Sequence, residues 1–417
     1  MDKVVLAYSG GLDTSVAIRW IQEQYHLDVV ALSIDVGNNR DLEAIQAKAL
    51  KIGAIKSLVL DGKELFVNYF VWPALQAGAI YQNQYLLATA LARPLIAKLL
   101  VDVAREEGAT AVAHGCTGKG NDQVRFDVSV QALAPDLKVI APVREWRMSR
   151  DESLRYAAKH NIPVPATVKS PFSVDENLWG RSVEAGVLED PWQEPPEEVY
   201  LWTSHPADWP HSPEYVEIEF ERGIPVGLDG ERLGGVQLID RLNEQAGKHG
   251  VGRVDHIEDR LVGIKSREVY EAPAGQTLFV AHAALESITL SRDTLRFKQL
   301  ITQEYAQLIY NGLFFSSLRN DLQAFVTSSQ RHVTGTLRVR VFQGQAVAVG
   351  RKSPASLYNE GLATYTDEDT FDHTAAVGFI KLFGQQTRTA ARVHQLGQGA
   401  DDEPMLRLAQ PRSIEAD

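Results

Sequence analysis

Short apolar segments alternate with helical patterns over the first 142 residues, and this alternation restricts the possible folds more than any other feature. The segments are KVVLAYS from residue 3, LDVVALSI from 27, KSLVLD from 56, ATAVAHG from 109 and KVIAPV from 138. Their hydrophobicity is continuous rather than alternating, which is typical of strands buried on both faces. We therefore predict an α/β fold with a parallel sheet, in which ligands bind beyond the carboxyl ends of the strands.

A different pattern begins beyond about residue 165. The segment 186–213 is rich in proline, tryptophan and acidic residues, which predicts a long surface excursion. Two segments, 214–233 and 334–352, alternate apolar and polar residues through turns, as antiparallel hairpins do. The segments with helical patterns are 234–247 and 276–310. This half is therefore predicted to be a mixed α+β domain.

The composition restricts the compartment and the partners. With 417 residues, 44% of them hydrophobic, the chain can form two domains and a terminal extension. A formal net charge of −12 argues against a broad nucleic-acid or anionic-membrane surface. Cys116 is the only cysteine, which excludes an internal disulfide and fits a reducing compartment. Because no apolar stretch suits a signal peptide or a membrane span, we expect a cytoplasmic protein with small-molecule substrates.

The first predicted strand ends in AYSGGLDTS, residues 7–15. Ser9, Gly10 and Gly11 predict a sharp turn with unobstructed N–H groups, and Asp13 to Ser15 start a helix directly after it. This combination is typical of an anion site, although it matches neither the Walker A pattern nor the dinucleotide fingerprint. The alternative is an ordinary tight turn with an aspartate near the start of a helix.

A second polar loop, AHGCTGKGNDQVRF at 113–126, follows a later strand of the same sheet. Its polar groups are therefore expected to converge on the ligand of the first loop. The alternative is a polar loop that leads into a helix, with Arg125 on a solvated face. Cys116 lies two residues from His114, but we expect a small loop residue here rather than a catalytic thiol.

AYSGGLDTS resembles the S-G-G-x-D-[ST] pyrophosphate loop of the ATP pyrophosphatases, which split ATP between the α and β phosphates. Six segments together are similar to the argininosuccinate synthases, a family of that superfamily. The six are AYSGGLDTS, YLLATALARPLIAK, HGCTGKGNDQVRF, SVDENLWGRSVEAGVLEDP, AGKHGVGRVDHIEDRLVGIKSREVYEAPAG and GRKSPASLYNE. The resemblance implies ATP-dependent condensation of citrulline with aspartate to argininosuccinate in arginine biosynthesis, releasing AMP and pyrophosphate through a citrulline-adenylate intermediate.

The same resemblance implies the site residues at the matching positions of this chain. The residues implied in ATP binding are Ala7, Tyr8, Ser9, Gly10, Gly11, Leu12, Asp13, Thr14, Ser15, Ile34 and Gly115. The residues implied in citrulline and aspartate binding are Tyr85, Thr89, Thr117, Asn121, Asp122, Arg125, Ser173, Ser182, Glu258 and Tyr270. Asp13, Asn121 and Asp122 are the predicted catalytic residues. Mg²⁺ is expected beside ATP, held mainly by phosphate and water and not by a dedicated set of protein ligands.

Individual roles also follow from the resemblance. Arg125 is expected to bind the α-carboxylate of citrulline, and Glu258 its amino or ureido groups. Asp122 is expected to bind the ammonium group of aspartate, with Asn121 between the two substrates. Some family members have serine where this chain has Ala90, so Thr89 is the expected substitute hydroxyl.

The family resemblance further implies a homotetramer and a division into three parts. The parts are a nucleotide-binding domain over 1–165, a synthetase domain that binds citrulline and aspartate over 166–378, and a C-terminal oligomerisation helix with a polar tail over 379–417. The segment GFIKLFGQQTRTAARVHQL has the length of an arm helix. Its apolar face suits a neighbouring subunit and its own subunit equally well.

Two other functions share the first loop. A tRNA thiolase on the same scaffold needs a basic RNA-binding face and usually a second cysteine, whereas this chain is acidic and has one. An ATP-binding sensor without turnover has no use for HGCTGKGNDQVRF or VGIKSREVY. Formation of AMP that depends on citrulline distinguishes the synthase from the sensor.

Overall fold

The residues described by the computed structural model are 2–37, 41–146, 148–163 and 171–394. The chain forms two compact units, Met1–Leu357 and Tyr358–Asp417. The predicted domain boundary at 165/166 and the polar tail after residue 397 lie outside the described residues, so both stay predictions.

Within the described residues, five parallel strands form the sheet of the N-terminal half, as predicted. They are β1 Lys3–Ala7, β2 Asp28–Asp35, β3 Lys56–Asp61, β4 Ala111–Ala113 and β5 Lys138–Ile140. The strand order is β3-β2-β1-β4-β5, which places β1 at the centre. Val4 and Leu6 pack into one core and Val5 into the core on the opposite face, because side chains alternate along a strand.

Helices cover both faces of this sheet. The helices of this half of the chain are α1 Leu12–Tyr25, α2 Leu42–Ile52, α3 Lys63–Phe66, α4 Trp72–Ala77, α5 Ala88–Glu106, α6 Asp122–Leu133, α7 Pro142–Trp146 and α8 Arg150–Lys159, of which α3 and α4 pack into the core of the second half instead. Helices α1, α2 and α8 contribute to the core that contains Val4, and α5 and α6 to the core that contains Val5. A π-helical turn, Val67–Val71, joins α3 to α4 without a break.

The second half of the chain contains antiparallel sheets. Its strands are β6 Ser173–Asn177, β7 Gly180–Glu184, β8 Glu214–Glu221, β9 Ile224–Leu228, β10 Glu231–Arg232, β11 Arg253–Asp259, β12 Lys265–Glu271, β13 Gly335–Phe342 and β14 Gln345–Lys352. The two predicted hairpins, β8–β9 and β13–β14, are confirmed and join β10 in one sheet of order β10-β9-β8-β13-β14.

The other sheet, of order β11-β12-β7-β6, was not predicted from the sequence. Its strands lack an apolar face on one side. Ser182 and Glu184 of β7 line a cavity, while Val183 between them is buried on the opposite side. Buried positions in these strands are often polar: His256 and Glu258 of β11 are buried, whereas Ile257 between them is 47% exposed. The apolar residues therefore do not mark the buried face, and the alternating pattern that identifies a half-buried strand is lost here.

Four further helices complete the first unit in its described part. They are α9 Gly235–Lys248, α10 Pro273–Thr289, α11 Arg292–Tyr310 and α12 Ser317–Ser329. The single helical pattern predicted over 276–310 is two helices, because α10 ends at Thr289 and the Ser291 hydroxyl caps α11. The excursion 186–213 contains three short 3₁₀ turns, and Trp192 within it is 92% exposed.

The second unit contains α13 Glu360–Ala363, α14 His373–Phe383 and α15 Gln385–His394. The predicted arm helix is therefore two helices, which meet at Gly384. The apolar side chains of α14 that are 64% to 77% exposed are Val377, Phe379, Ile380, Leu382 and Phe383. Among the described residues, no helix has both the length and the apolar character needed to cross a bilayer.

Candidate active site

The two loops that stand out in the sequence meet at the carboxyl ends of β1 and β4, which are neighbours in the sheet. The first loop leads from β1 into α1, and the second leads from β4 into α6. A Cβ atom added to Gly115 would lie 2.7 Å from Cγ2 of Thr14, so the loops touch at this glycine. The predicted convergence of the two loops is therefore confirmed.

The backbone of the first loop leaves room for an anion. Gly10 has a φ of +77°, in the left-handed region that favours glycine. Gly11 is the N-cap of α1, and no side chain caps this helix. The first N–H groups of α1 and the positive end of the helix dipole therefore face the loop. The hydroxyl oxygens of Ser9 and Thr14, 3.1 Å apart, lie beside them.

Asp13 lies in the first turn of α1 and does not act as its cap. Burial raises the pKa of the Asp13 carboxyl, and the positive charge of Arg150 opposes that shift. Capping of α1 therefore does not explain why this turn contains an aspartate. Its catalytic role stays a prediction.

The larger of two cavities at this edge of the sheet has a volume of about 430 Å³. The predicted ATP-binding residues that line it are Ala7, Tyr8, Ser9, Thr14, Ile34 and Gly115. Those outside its lining are Gly10, Gly11, Leu12, Asp13 and Ser15. The Ser15 side chain is fully buried, and its hydroxyl lies 3.1 Å from that of Tyr8. Ser15 therefore supports the loop from inside the protein.

The lining of the larger cavity is partly apolar. Its apolar side chains, besides those already named, are Leu32, Val36, Ile96, Phe126 and Val174. The hydroxyl-bearing residues Ser9 and Thr14 also line it. Such a cavity suits a ligand that has both a flat apolar group and an anionic group.

The smaller cavity has a volume of about 280 Å³. All the residues predicted to bind citrulline and aspartate line it: Tyr85, Thr89, Thr117, Asn121, Asp122, Arg125, Ser173, Ser182, Glu258 and Tyr270. The sheet that the sequence did not predict forms one wall, where Tyr270 of β12 pairs with Ser182 of β7. Residues that are far apart in the sequence are thus brought to one site.

The two cavities are contiguous. The residues that line both are Gly115, Cys116, Asp122, Ser173, Asp175 and Glu184. A reactive group bound in one cavity can therefore approach a group bound in the other without leaving the protein, which is the requirement for a reaction between two bound molecules.

Asp122 lies between two guanidinium groups. Its Oδ2 accepts a hydrogen bond from Nε of Arg93, and its Oδ1 accepts one from Nη1 of Arg125, both at 2.8 Å. Arg93 also donates through Nη2 to Asp175 at 2.7 Å. Burial alone would raise the pKa of Asp122, but Arg93 and Arg125 hold it below the ordinary value. The carboxylate is therefore ionised at neutral pH and fixed in position.

Arg125 is buried and uses two of its three nitrogens within the protein. Nη1 donates to Asp122, and Nε donates to the backbone carbonyl of Tyr310 at 3.0 Å. Nη2 is buried and has no hydrogen-bond partner in the part of the chain that the structure describes. Because an unpaired buried N–H group is costly, Nη2 is suited to an anionic oxygen of a ligand.

Glu258 accepts hydrogen bonds from two tyrosines. Oη of Tyr270 lies 2.6 Å from Oε2, and Oη of Tyr310 lies 2.7 Å from Oε1. Burial, followed by the Glu258 carboxylate, raises the pKa of Tyr310, so this phenol stays protonated and donates. Asn121 donates to Tyr310 Oη at 2.8 Å and accepts from the N–H of Leu261 at 2.9 Å. The network fixes the side chains of Glu258 and Asn121.

Tyr85 lies beside this network. Its ring stacks on that of Tyr270 with centroids 4.3 Å apart, and its Oη accepts from the backbone N–H groups of Thr89 and Ala90 at 3.0 and 3.3 Å. The Ala90 side chain is fully buried, whereas Thr89 lines the smaller cavity. Thr89 therefore lines the cavity, and its role as a substitute hydroxyl stays a prediction.

Several charged residues of the cavities were not predicted from the sequence: Arg93, Asp175, Glu184, Arg260 and Glu268. Arg260 forms ion pairs with Glu184 and Glu268. Burial, with Glu184 and Glu258 nearby, raises the pKa of Glu268 well above its ordinary value. A sequence signal existed for Arg93, which is the only charged residue in the first ten residues of α5.

We expect Cys116→Ala to retain at least about a third of wild-type turnover, because the thiol is not positioned as a nucleophile. Burial and then the Asp122 carboxylate raise the pKa of the Cys116 thiol, which disfavours the reactive thiolate. Steady-state turnover of the variant checks this. A folded variant without turnover would contradict it.

Two family models match the chain. The model described as "Arginosuccinate synthase N-terminal HUP domain" matches residues 3–163. The model described as "Arginosuccinate synthase C-terminal domain" matches residues 172–390. The two matches cover the two halves in which the parallel sheet and the antiparallel sheets lie.

Similar proteins from three bacteria carry the name "Argininosuccinate synthase". One from Dehalococcoides mccartyi is 58% identical over 395 residues, which is 95% of this chain and 97% of the relative. One from Symbiobacterium thermophilum is 61% identical over 94% of this chain and 98% of its own length. One from Anoxybacillus flavithermus is 59% identical over 94% and 97%, respectively.

Proposed function

The chain belongs to the argininosuccinate synthase family, and on this basis we propose that it condenses citrulline with aspartate in the two contiguous cavities. ATP is the co-substrate, argininosuccinate the product, and AMP and pyrophosphate are released. The observation that carries the proposal is the set of residues lining both cavities, which allows a nucleotide in one to react with an amino acid in the other.

The chemistry needs two steps because the ureido oxygen of citrulline is a poor leaving group. In the first step this oxygen attacks the α-phosphorus, an O–P bond forms, and the bond to pyrophosphate breaks. In the second step the aspartate amine attacks the ureido carbon, a C–N bond forms, and AMP leaves with the oxygen. Both steps depend on holding the reacting atoms in contact, which the shared cavity walls favour.

The larger cavity is the proposed site of ATP. Apolar lining residues such as Ile34 suit the adenine ring, and Ser9 and Thr14 beside the N-terminus of α1 suit the phosphates. Gly115 keeps the second loop close to these phosphates, because a side chain there would strike Thr14.

The smaller cavity is the proposed site of both amino acids. Nη2 of Arg125 is suited to the α-carboxylate of citrulline. Glu258 is suited to accept a hydrogen bond from the amino or ureido group of citrulline. Asp122, which is ionised and lines both cavities, is suited to the ammonium of aspartate. Thr117 supplies a hydroxyl for a carboxylate of aspartate.

Magnesium is part of the proposal. Among the described residues there is no cluster of three side chains able to ligate a metal. Asp13, in the first turn of α1, is a carboxylate suited to contact a magnesium ion through water. Bound magnesium would offset the negative charge of the triphosphate, with most of its ligands from phosphate and water.

The test is to incubate the full chain with magnesium, ATP, citrulline and aspartate and to identify every product. We expect argininosuccinate, AMP and pyrophosphate in equal amounts. Formation of ADP and phosphate, or failure to form argininosuccinate, would overturn the proposal. Omission of aspartate separates the steps, because exchange of labelled pyrophosphate into ATP should then still require citrulline.

A homotetramer, a cytoplasmic location and the division of the first unit near residue 165 also belong to the proposal. Family resemblance supports the tetramer, and the exposed apolar side chains of α14 provide a surface for it. The acidic composition and single cysteine support the location.

For the tetramer, we expect the double variant Phe379→Glu/Leu382→Glu to give species smaller than four chains. Carboxylates without partners would be buried in the interface, at a cost of several kcal/mol. Light scattering after size exclusion measures the native mass, and Lys381→Gln on the same helix is the control. A double variant that stays tetrameric would contradict a role for α14, and a monomeric wild type would contradict the tetramer itself.

A further inference from the structure

A lysine of another helix donates a hydrogen bond to the peptide group between Gly10 and Gly11. Nζ of Lys48, on α2, donates to the carbonyl oxygen of Gly10 at 2.7 Å. Helix α2 packs directly on this glycine, because a Cβ atom at Gly10 would lie 3.0 Å from Cγ1 of Ile45. Lys48 is therefore adjacent to the first loop, although 38 residues separate it from Gly10.

The geometry of a trans peptide determines what this contact does. The carbonyl of Gly10 and the N–H of Gly11 belong to one planar group and point in opposite directions. With the carbonyl directed at Lys48, the N–H of Gly11 is directed away from α2. Gly11 is outside the lining of the larger cavity, but it is exposed and lies in the loop between Ser9 and Thr14, which line that cavity. Its hydrogen bond to Ser9 Oγ is long, at 3.4 Å, so this N–H is weakly engaged and suited to a stronger acceptor.

A Gly-Gly peptide needs such a restraint. Neither residue has a Cβ atom, so rotation of the peptide plane meets little steric resistance. A charged donor on the carbonyl also polarises the peptide group and makes its N–H a better donor. Lys48 is partly buried, so water competes less for this hydrogen bond; the same burial lowers the pKa of its ammonium group.

We propose that Lys48 is a positioning residue for pyrophosphate, which acts by orienting the Gly10–Gly11 peptide so that the Gly11 N–H faces the β and γ phosphates. Lys48 does not itself contact the nucleotide. In a Walker A loop a lysine within the motif binds the phosphates, whereas here a lysine of the next helix orders the backbone that binds them. The inference rests on the proposed function, because it takes the first loop as the phosphate site.

The experiment compares Lys48→Met, which keeps the apolar stem and removes the donor, with Lys48→Arg, which keeps a charged donor. For Lys48→Met we expect the KM for ATP and the inhibition constant of pyrophosphate to rise together by about 10- to 150-fold, the range for loss of a hydrogen bond to a charged group. The KM values for citrulline and aspartate should change less than about threefold. Lys48→Arg should restore most of the loss. Lys51→Met, exposed on the same helix, is the matched control.

A merely structural role gives a different result. If Lys48→Met lowers the melting temperature but leaves the KM for ATP and pyrophosphate inhibition unchanged, or alters all three KM values equally, the inference is wrong. Calorimetric binding of magnesium pyrophosphate to the full chain separates the two proposals. If the wild-type protein binds magnesium pyrophosphate and Lys48→Met binds it more weakly, the inference is supported even if no argininosuccinate forms. Equal binding by both proteins overturns it.

Discussion

Asp122→Asn is expected to lower kcat/KM for aspartate by roughly 100- to 5000-fold, because loss of one member of a buried charged pair costs about 3 to 5 kcal/mol. The substitution keeps the shape of the side chain but removes the negative charge between Arg93 and Arg125. The ammonium group of aspartate would then enter a region with two unbalanced guanidiniums. Exchange of pyrophosphate into ATP with citrulline alone should fall much less, since aspartate takes no part in it.

Asp136→Asn is the matched control for this variant. Asp136 pairs with Arg105 through two hydrogen bonds, as Asp122 pairs with arginines, but this pair is exposed on the surface. Exposed ion pairs contribute little, so kcat/KM should stay within about twofold of wild type. If Asp122→Asn also retains kcat/KM for aspartate within about threefold, the proposed role of Asp122 is wrong. Circular dichroism of each variant verifies the fold.

Arg125→Lys is expected to raise the KM for citrulline by roughly 10- to 150-fold, equal to about 1.5 to 3 kcal/mol for a hydrogen bond to a charged group. Arg125 directs three nitrogens to three places: Nε to Tyr310, Nη1 to Asp122 and Nη2 to the proposed carboxylate. A lysine keeps the positive charge but cannot reproduce this planar arrangement. The KM for ATP should change less than about threefold.

Steady-state kinetics with each substrate varied in turn measures the change in the KM for citrulline separately from the change in the KM for ATP. Arg105→Lys, which makes the same exchange in the surface pair with Asp136, is the control. An Arg125→Lys variant whose KM for citrulline is unchanged would exclude the proposed carboxylate contact. A variant in which all three KM values rise equally would indicate a general distortion of the site.

The regular part of the fold was accessible from the sequence. β1 illustrates why: Val4, Val5 and Leu6 are all apolar because both faces of this central strand are covered. The hairpins β8–β9 and β13–β14 were likewise recognised from their alternation and turns. By contrast, buried positions of the four-stranded sheet carry polar side chains such as His256, Glu258 and Glu268, so hydrophobicity did not mark the buried face of its strands.

The sequence by itself determined the parallel sheet, the two glycine-containing loops at its carboxyl edge and, through resemblance, ten of the residues that line the smaller cavity. These features depend on hydrophobic periodicity and on turn residues, which are local properties of a chain. Only the tertiary structure decided the charge partners. Arg93 meets Asp122 across 29 residues and Asp175 across 82, and Lys48 meets Gly10 across 38. The strength of an ion pair or hydrogen bond depends on distance and burial, and neither is recorded in the order of the residues.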